Sequence, residues 1–195
     1  MIGTKDVTLQ GNVNNKYHDM TLSKIKTPFY IVYENRLRKN LELIKRVSIE
    51  ADVNIIMAFK ANALWKTFNI ISEYISASTA SSLNEMKLSL DYLGTEVHAY
   101  CPVYTDETFP LFLKGSSHIT FNSISQFEKF KKEIADYNAS NPNSRVSAGL
   151  RVNPQCSVIE TDIYNPCLPG SRFGVTPDVI GDKLPEGIEG LHFHA

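Results

Sequence analysis

Residues 55–62 read Ile-Ile-Met-Ala-Phe-Lys-Ala-Asn, and this stretch decides the fold prediction. The apolar run predicts a short buried strand over residues 54–59, with Lys60 directly at its carboxyl end. Burial there would lower the pKa of the lysine ammonium group and leave a nucleophilic amine. A lysine at a strand end can equally extend its charged head into water along its apolar stem. Both interpretations stay open on this stretch alone.

Short apolar strands alternate with helical stretches along most of the chain. Asn35 and Ser123 are predicted helix N-caps, and Ser123 with Gln126 resembles a capping box. Since helices separate most of the strands, we expect a parallel α/β sheet. Further strands are predicted at residues 29–33, 77–80, 97–100, 118–121, 146–152 and 190–194.

The length of the chain bears on which α/β fold this is. A closed (β/α)8 barrel takes about 250 residues, whereas this chain has 195 and ends at Ala195, just past a predicted strand. We therefore predict an α/β fold in which residues 27–195 form the N-terminal part of an incomplete (β/α)8 barrel. A polar leader over residues 1–26 is predicted to precede it.

Composition excludes several classes of protein. The chain is 43% hydrophobic and 21% charged, which is typical of a globular domain. A net charge of −1 gives no electrostatic case for binding nucleic acid or an anionic membrane. No apolar run is long enough to span a bilayer and no signal-peptide core is present, so the cytoplasm is the expected location. The cysteines, Cys101, Cys156 and Cys167, form no disulfide framework or zinc motif.

Two further groups of polar residues follow predicted strands. Ser81 lies in a run of small hydroxyl residues, 78–82, that suits an anionic ligand at a helix start. The alternative is a set of ordinary helix N-cap residues. Arg151 ends another strand, where its guanidinium can reach a carboxylate or phosphate. The alternative for Arg151 is a structural salt bridge.

The long connection from residue 153 to 174 is rich in proline and glycine and has no helical or strand period. It follows the carboxyl end of a strand, where βα folds carry their functional residues. Asp162, Tyr164 and Arg172 are therefore candidate substrate-binding residues, although a rigid surface loop would look the same. His192 and His194 in the final strand share one face, which suits a metal ion or a flat cofactor ring.

Taken in order, these motifs resemble the fold-type III pyridoxal-phosphate enzymes, and among them the carboxynorspermidine and carboxyspermidine decarboxylases. Lys60 in Ala-Phe-Lys-Ala-Asn resembles the catalytic lysine that binds the cofactor. Arg151 resembles the arginine after a barrel strand, and His194 the histidine that stacks on the cofactor ring. The loop over residues 161–174 is the part that favours carboxynorspermidine decarboxylase. The resemblance covers residues 27–195.

The resemblance implies an enzyme that uses pyridoxal 5'-phosphate to decarboxylate carboxynorspermidine or carboxyspermidine in polyamine biosynthesis. It implies cofactor contacts from Lys60, Arg151, His194 and Ser81, no metal ion, and a homodimer in the full-length family. The family's last barrel strands, its glycine-rich phosphate-binding segments and its C-terminal β-domain have no counterpart here. We therefore expect the chain to be a portion that is weakly active or inactive alone.

Three alternatives stay open at this point. One is another fold-type III activity, such as diaminopimelate or ornithine decarboxylation or amino-acid racemisation. The second is a non-catalytic module of the same fold that binds the cofactor. The third is a metal hydrolase barrel that uses His192 and His194, although H-x-H at the end of the chain leaves few ligands to follow.

Overall fold

A computed structural model describes residues 24–195. Residues 1–23, and with them most of the predicted leader, lie outside the described residues. Over residues 24–195, no helix is both long enough and apolar enough to cross a membrane.

The described residues build one parallel sheet in which each strand lies beside its neighbours in sequence. The sheet has six strands in the order β1-β2-β3-β4-β5-β6, which confirms the predicted parallel α/β arrangement. The strands are β1 Met57–Ala58, β2 Ala77–Ala80, β3 Glu96–Tyr100, β4 His118–Phe121, β5 Ser147–Arg151 and β6 Gly190–His192.

Helices connect the strands and cover one face of the sheet. The α-helices are α1 Glu34–Glu50, α2 Phe68–Ile71, α3 Leu83–Leu88, α4 Phe109–Gly115, α5 Ile124–Ser140 and α6 Pro177–Ile180. A π-helical turn, Ser89–Leu93, continues α3 and ends at Gly94, whose φ of 66° is the left-handed conformation that glycine adopts easily. Short 3-10 turns occur at Trp65–Thr67, Pro142–Ser144 and Asp162–Tyr164.

The start of the domain differs from the sequence prediction in two ways. Residues 29–33 form no strand, and the side chain of Tyr30 is fully exposed. Strand propensity alone does not build a strand, and the outer edge of β1 stays unpaired in the described sheet. Helix α1 begins at Glu34, so Tyr33 and not Asn35 is its N-cap. The Asn35 carboxamide instead accepts a hydrogen bond from the backbone N–H of Arg36.

The strands alternate between an apolar and a polar face, and this alternation places the core. In β3, Val97 and Ala99 are 1% exposed and belong to the apolar core, while His98 and Tyr100 point to the other face. Four phenylalanines from α4, β4 and α5 fill that core. They are Phe109, Phe121, Phe127 and Phe130.

Helix α5 begins as its capping residues predict. The Ser123 hydroxyl accepts a hydrogen bond from the backbone N–H of Gln126 at 3.2 Å. The Gln126 side-chain oxygen accepts from the backbone N–H of Asn122 at 3.3 Å, one residue before the position that a capping box uses. The cap fixes the helix start beside the end of β4, and thereby holds Asn122 at the polar edge of the sheet.

Replacing a core phenylalanine tests the assignment of the two faces. Phe130 is fully buried and stacks on Phe109 with ring centroids 4.1 Å apart, so Phe130→Ala should lower the free energy of unfolding by about 3–5 kcal/mol. Phe193 is 69% exposed, and Phe193→Ala is the matched control, with an expected change within about 0.5 kcal/mol. Urea unfolding followed by circular dichroism measures both. Equal losses for the two variants would contradict the assignment.

Candidate active site

The carboxyl ends of the strands gather the chemically active side chains on the polar face. Tyr100, Arg151 and His192 are the last residues of β3, β5 and β6. Arg151 and His192 are direct partners in the parallel register of β5 and β6, and the backbone N–H of Val152 donates to the carbonyl of His192 at 2.7 Å. Three strand ends therefore contribute to one site.

Arg151 is a buried cation whose surroundings are aromatic. Arg151 is only 6% exposed, and its Nη1 atom donates a hydrogen bond to the Tyr100 hydroxyl at 2.6 Å. The guanidinium carbon lies 4.8 Å from the ring centroids of both Tyr100 and Phe173, within cation–π range. No carboxylate of residues 24–195 forms an ion pair with Arg151, so the structural salt bridge that the sequence left open is absent from the described part.

His192 lies against Tyr100 and is held in the neutral form. The two rings stack with centroids 5.2 Å apart at 23°. Burial, followed by the charges of Arg151, His194 and Lys60, lowers the pKa of His192 to about 4. Its Nδ1 atom is buried and has no hydrogen-bond partner among the described residues. An unpaired buried nitrogen is costly, so a ligand atom that bonds to it would stabilise the site.

Lys60 is exposed, which is the second of the two interpretations that the sequence left open, a strand-end lysine with its head in water. Strand β1 contains only two residues and lies at the edge of the described sheet, so nothing covers the side chain that follows it. The chain turns at once, with the backbone N–H groups of Ala61 and Asn62 both donating to the carbonyl of Ala58. This turn presents Lys60 at the carboxyl edge of the sheet.

Lys60 nevertheless belongs to the same site as the histidines. The pKa of His194 is lowered first by burial, then by the charges of Lys60 and Arg151. The same two cations act on His192. Lys60, Arg151, His192 and His194, all of which the sequence singled out, are therefore within electrostatic reach of one another.

The loop from residue 153 to 174 is fixed to this edge at its end and its middle. The side-chain oxygen of Asn122 accepts from the backbone N–H of Gly174 at 2.9 Å, and its amide nitrogen donates to the carbonyl of Arg172 at 2.8 Å. The buried Cys167 thiol donates to the carbonyl of His194 at 3.3 Å. These contacts hold the loop beside the cluster of cations and imidazoles.

Ser81 has no contact with the cluster in the described structure. Its backbone N–H donates to the Glu85 carboxylate at 2.6 Å, and Ser82 is the N-cap of α3 through a bond from the Glu85 N–H. This geometry is that of the helix-cap alternative, and a ligand contact from Ser81 stays a prediction.

The three loop candidates, Asp162, Tyr164 and Arg172, have exposed side chains. Tyr164 and Arg172 line a cavity of about 490 Å³ that the loop residues 163–173 form among themselves. Asp162 lies outside that lining, as do Lys60, Arg151 and His194. Roles for Asp162, Tyr164 and Arg172 in substrate binding therefore stay predictions.

Tyr100 and Asn122 are site residues that the sequence analysis missed. Each comes at the carboxyl end of its strand on the polar face, the position that already singled out Lys60 and Arg151. The strand-end position was the available signal, but a tyrosine and an asparagine carry no motif of their own. Over residues 24–195, no three histidine, cysteine, aspartate or glutamate side chains come close enough together to hold a metal ion.

Several known proteins are similar to this chain in sequence, and a solved structure is similar to it in fold. A carboxyaminopropylagmatine decarboxylase from Synechocystis is 36% identical over 89% of the chain and 43% of its own length. Carboxynorspermidine/carboxyspermidine decarboxylases from Campylobacter jejuni and Herminiimonas arsenicoxydans are 35% and 31% identical over 90% and 87% of the chain. The crystal structure of carboxynorspermidine decarboxylase from Campylobacter jejuni, complexed with norspermidine, matches with a TM-score of 0.72 at 32% identity. No protein family model matches the chain.

The predicted resemblance to the carboxynorspermidine and carboxyspermidine decarboxylases is confirmed. The structural match covers 88% of this chain and 41% of the solved one, so the sheet corresponds to part of that decarboxylase barrel. The chain spans less than half the length of the curated relatives that it matches.

The depressed pKa of His192 predicts how stability depends on pH. The unfolded chain has an ordinary histidine pKa of about 6.5, whereas the folded value is about 4. The unfolded state therefore binds the proton first, and stability falls as the pH drops from about 6.5 towards about 4. Urea midpoints measured across this range should fall less steeply for His192→Gln than for the wild type. Equal slopes would contradict a buried neutral imidazole at this position.

Proposed function

We propose that this chain carries part of the active site of a pyridoxal-phosphate-dependent decarboxylase of polyamine biosynthesis. The proposed substrate is carboxynorspermidine or carboxyspermidine, and the product is norspermidine or spermidine. The observation that carries the proposal is the convergence of Lys60, Arg151 and His194 at the carboxyl ends of parallel strands. The decarboxylase relatives supply the reaction type.

The residues at the strand ends fit pyridoxal phosphate chemically. Lys60 offers a primary amine for an aldehyde carbon, and the imidazole of His194 offers a flat surface for an aromatic ring. Arg151 offers N–H donors for anionic oxygens, and His192 has a buried nitrogen in need of a partner. When bound, the cofactor supplies an electron sink for the electron pair that loss of carbon dioxide leaves behind.

The charges of this site suit a carboxylate. Lys60 and Arg151 bring positive charge to the sheet edge, while the low pKa of His192 keeps that imidazole neutral at physiological pH. A carboxylate that enters the site is attracted to both cations and can accept hydrogen bonds from the guanidinium. In this proposal Arg151 orients anionic oxygens, Lys60 holds the cofactor through Nζ, and His194 covers one face of its ring.

The remainder of a carboxypolyamine substrate is cationic and needs a different surface. We propose that the loop over residues 161–174 supplies it, with Asp162 for an ammonium group and Tyr164 and Arg172 shaping the entrance. All three side chains are exposed in the described structure and free to meet a ligand. We further propose a cytoplasmic homodimer for the whole protein, as the resemblance implies.

A second substrate is favoured by one specific observation. The relative with 36% identity is a carboxyaminopropylagmatine decarboxylase, and agmatine ends in a guanidinium where spermidine ends in an amine. The carboxylate end of the two substrates is the same, so the strand-end cluster suits both. Other fold-type III activities and a non-catalytic cofactor module remain alternatives for the test.

Borohydride reduction in the presence of pyridoxal phosphate tests the cofactor assignment directly. We expect a single pyridoxyl label on the peptide that contains Lys60, found by mass spectrometry of the reduced and digested chain. Lys60→Ala should remove the label, and Lys114→Ala, at an exposed lysine of α4, should keep it. Equal labelling of the Lys60→Ala variant would contradict the assignment.

Release of carbon dioxide from four candidate substrates tests the reaction. In a chain completed to the length of its relatives, carboxynorspermidine and carboxyspermidine should be turned over faster than carboxyaminopropylagmatine, and all three faster than diaminopimelate. Lys60→Ala should lower any turnover to the rate without protein. Preference for diaminopimelate would overturn the proposed substrate class. Robust turnover by this chain would contradict the expectation that it is weakly active alone.

A further inference from the structure

Arg151 is a buried cation of the described structure, and the one side chain that accepts a hydrogen bond from it among residues 24–195 is Tyr100. The guanidinium is buried without a carboxylate, so its orientation depends on the Tyr100 hydroxyl and on the rings of Tyr100 and Phe173. Arginine has five N–H donors, and the described residues accept one hydrogen bond, from Nη1. The direction in which the others point is therefore set largely by Tyr100.

The direction of each hydrogen bond at Tyr100 follows from its partners. Arginine can only donate, so the phenol oxygen accepts from Arg151 and its own proton goes to the side-chain oxygen of Asn122 at 2.9 Å. Burial raises the pKa of Tyr100, an effect that the charge of Arg151 partly offsets, so the phenol keeps the proton that it donates. Tyr100 thus links Arg151 to Asn122.

Asn122 continues this link into the loop. The same side-chain oxygen accepts from the backbone N–H of Gly174, which fixes the orientation of the carboxamide, and the amide nitrogen donates to the carbonyl of Arg172. Every polar end of the Asn122 side chain is therefore in use. Gly174 packs so closely, at a φ of 83°, that a Cβ there would lie 2.9 Å from the backbone nitrogen of Asn153.

We propose that Tyr100 and Asn122 are positioning residues that join the Arg151 guanidinium to the end of the loop over residues 161–174. The relay Arg151–Tyr100–Asn122 runs across the ends of β5, β3 and β4 and finishes at the Arg172–Gly174 backbone. The relay holds Arg151, which is proposed to bind the carboxylate, in a fixed position relative to the loop over residues 161–174, which is proposed to bind the polyamine. The functional half of this inference rests on the proposed function, whereas the relay itself is a property of the chain without ligand.

The loop half of the relay is tested by trypsin, which cleaves after Arg172. Tyr100→Phe keeps the aromatic ring and removes both hydrogen bonds of the hydroxyl, of which the one to Asn122 supports the loop. The end of the loop should therefore open more often, and cleavage should be about fivefold faster. Asn122→Ala removes three bonds and should be faster still. If both act through one relay, the double variant should be cleaved no faster than Asn122→Ala. Tyr74→Phe is the control, because it removes a tyrosine hydroxyl that lies 3.5 Å from Arg38 on another part of the domain. Its rate of cleavage after Arg172 should match that of the wild type.

The Arg151 half is tested by the imidazole of His192. Since the charge of Arg151 helps to lower the pKa of His192, a guanidinium freed by Tyr100→Phe should let that pKa rise above about 4. Side-chain NMR titration measures this without cofactor or substrate, and the ring that stacks on His192 is still present in the variant. Tyr74→Phe should leave the titration unchanged.

The outcomes separate this inference from the proposed function. If Tyr100→Phe is cleaved after Arg172 at the wild-type rate and its His192 has the wild-type pKa, the relay is overturned. Faster cleavage with an unchanged His192 titration would overturn the positioning of Arg151. If both change while pyridoxal phosphate labels no lysine in the wild type, the relay stands and the proposed function fails. If both change and the label forms, half-maximal labelling of Lys60 should need roughly fivefold more cofactor in Tyr100→Phe.

Discussion

The alternation of side chains along parallel strands is the constraint on which the rest of this structure depends. Helices cover one face of the sheet, so residues such as Ala99 and Leu150 must be apolar, and their neighbours Tyr100 and Arg151 must point to the opposite face. All strands run the same way, so those polar neighbours end at one edge. The phenylalanine core therefore does more than stabilise the domain, because it fixes the register that brings Arg151 beside His192.

Burial of Arg151 determines how the polar edge is organised. A buried cation without a carboxylate is unfavourable unless hydrogen bonds and polarisable groups replace water. Here the rings of Tyr100 and Phe173 and the hydroxyl of Tyr100 do so, and that hydroxyl is held in turn by Asn122. The same charge disfavours protonation of His192, which keeps that imidazole neutral. Burial of the imidazole is the first cause of the low pKa of His192, and the charge of the desolvated arginine adds to it.

Sequence patterns were sufficient for the elements whose burial follows a simple period, such as β4 and the face of α5 with Phe127 and Phe130. Lys60, Arg151 and His194 could be brought to one site because strand ends of a parallel sheet share an edge. An exposed Lys60 was one of two interpretations that the sequence left open. The choice between them depends on β1 being an edge strand of two residues in the described sheet. Tyr100 and Asn122 were missed because their roles arise from hydrogen bonds between residues far apart in sequence.

The exposure of Lys60 also changes the argument for its chemistry. Lys60 is exposed in the described structure, so a ligand can reach its amine directly. A second cation, Arg151, lies in the same cluster, which favours anionic partners for both. A carboxypolyamine carries one carboxylate and several ammonium groups, so its carboxylate end suits the strand edge. In the function proposed above, its cationic tail would point away from that edge, where the exposed loop carboxylate of Asp162 is the proposed partner for an ammonium group.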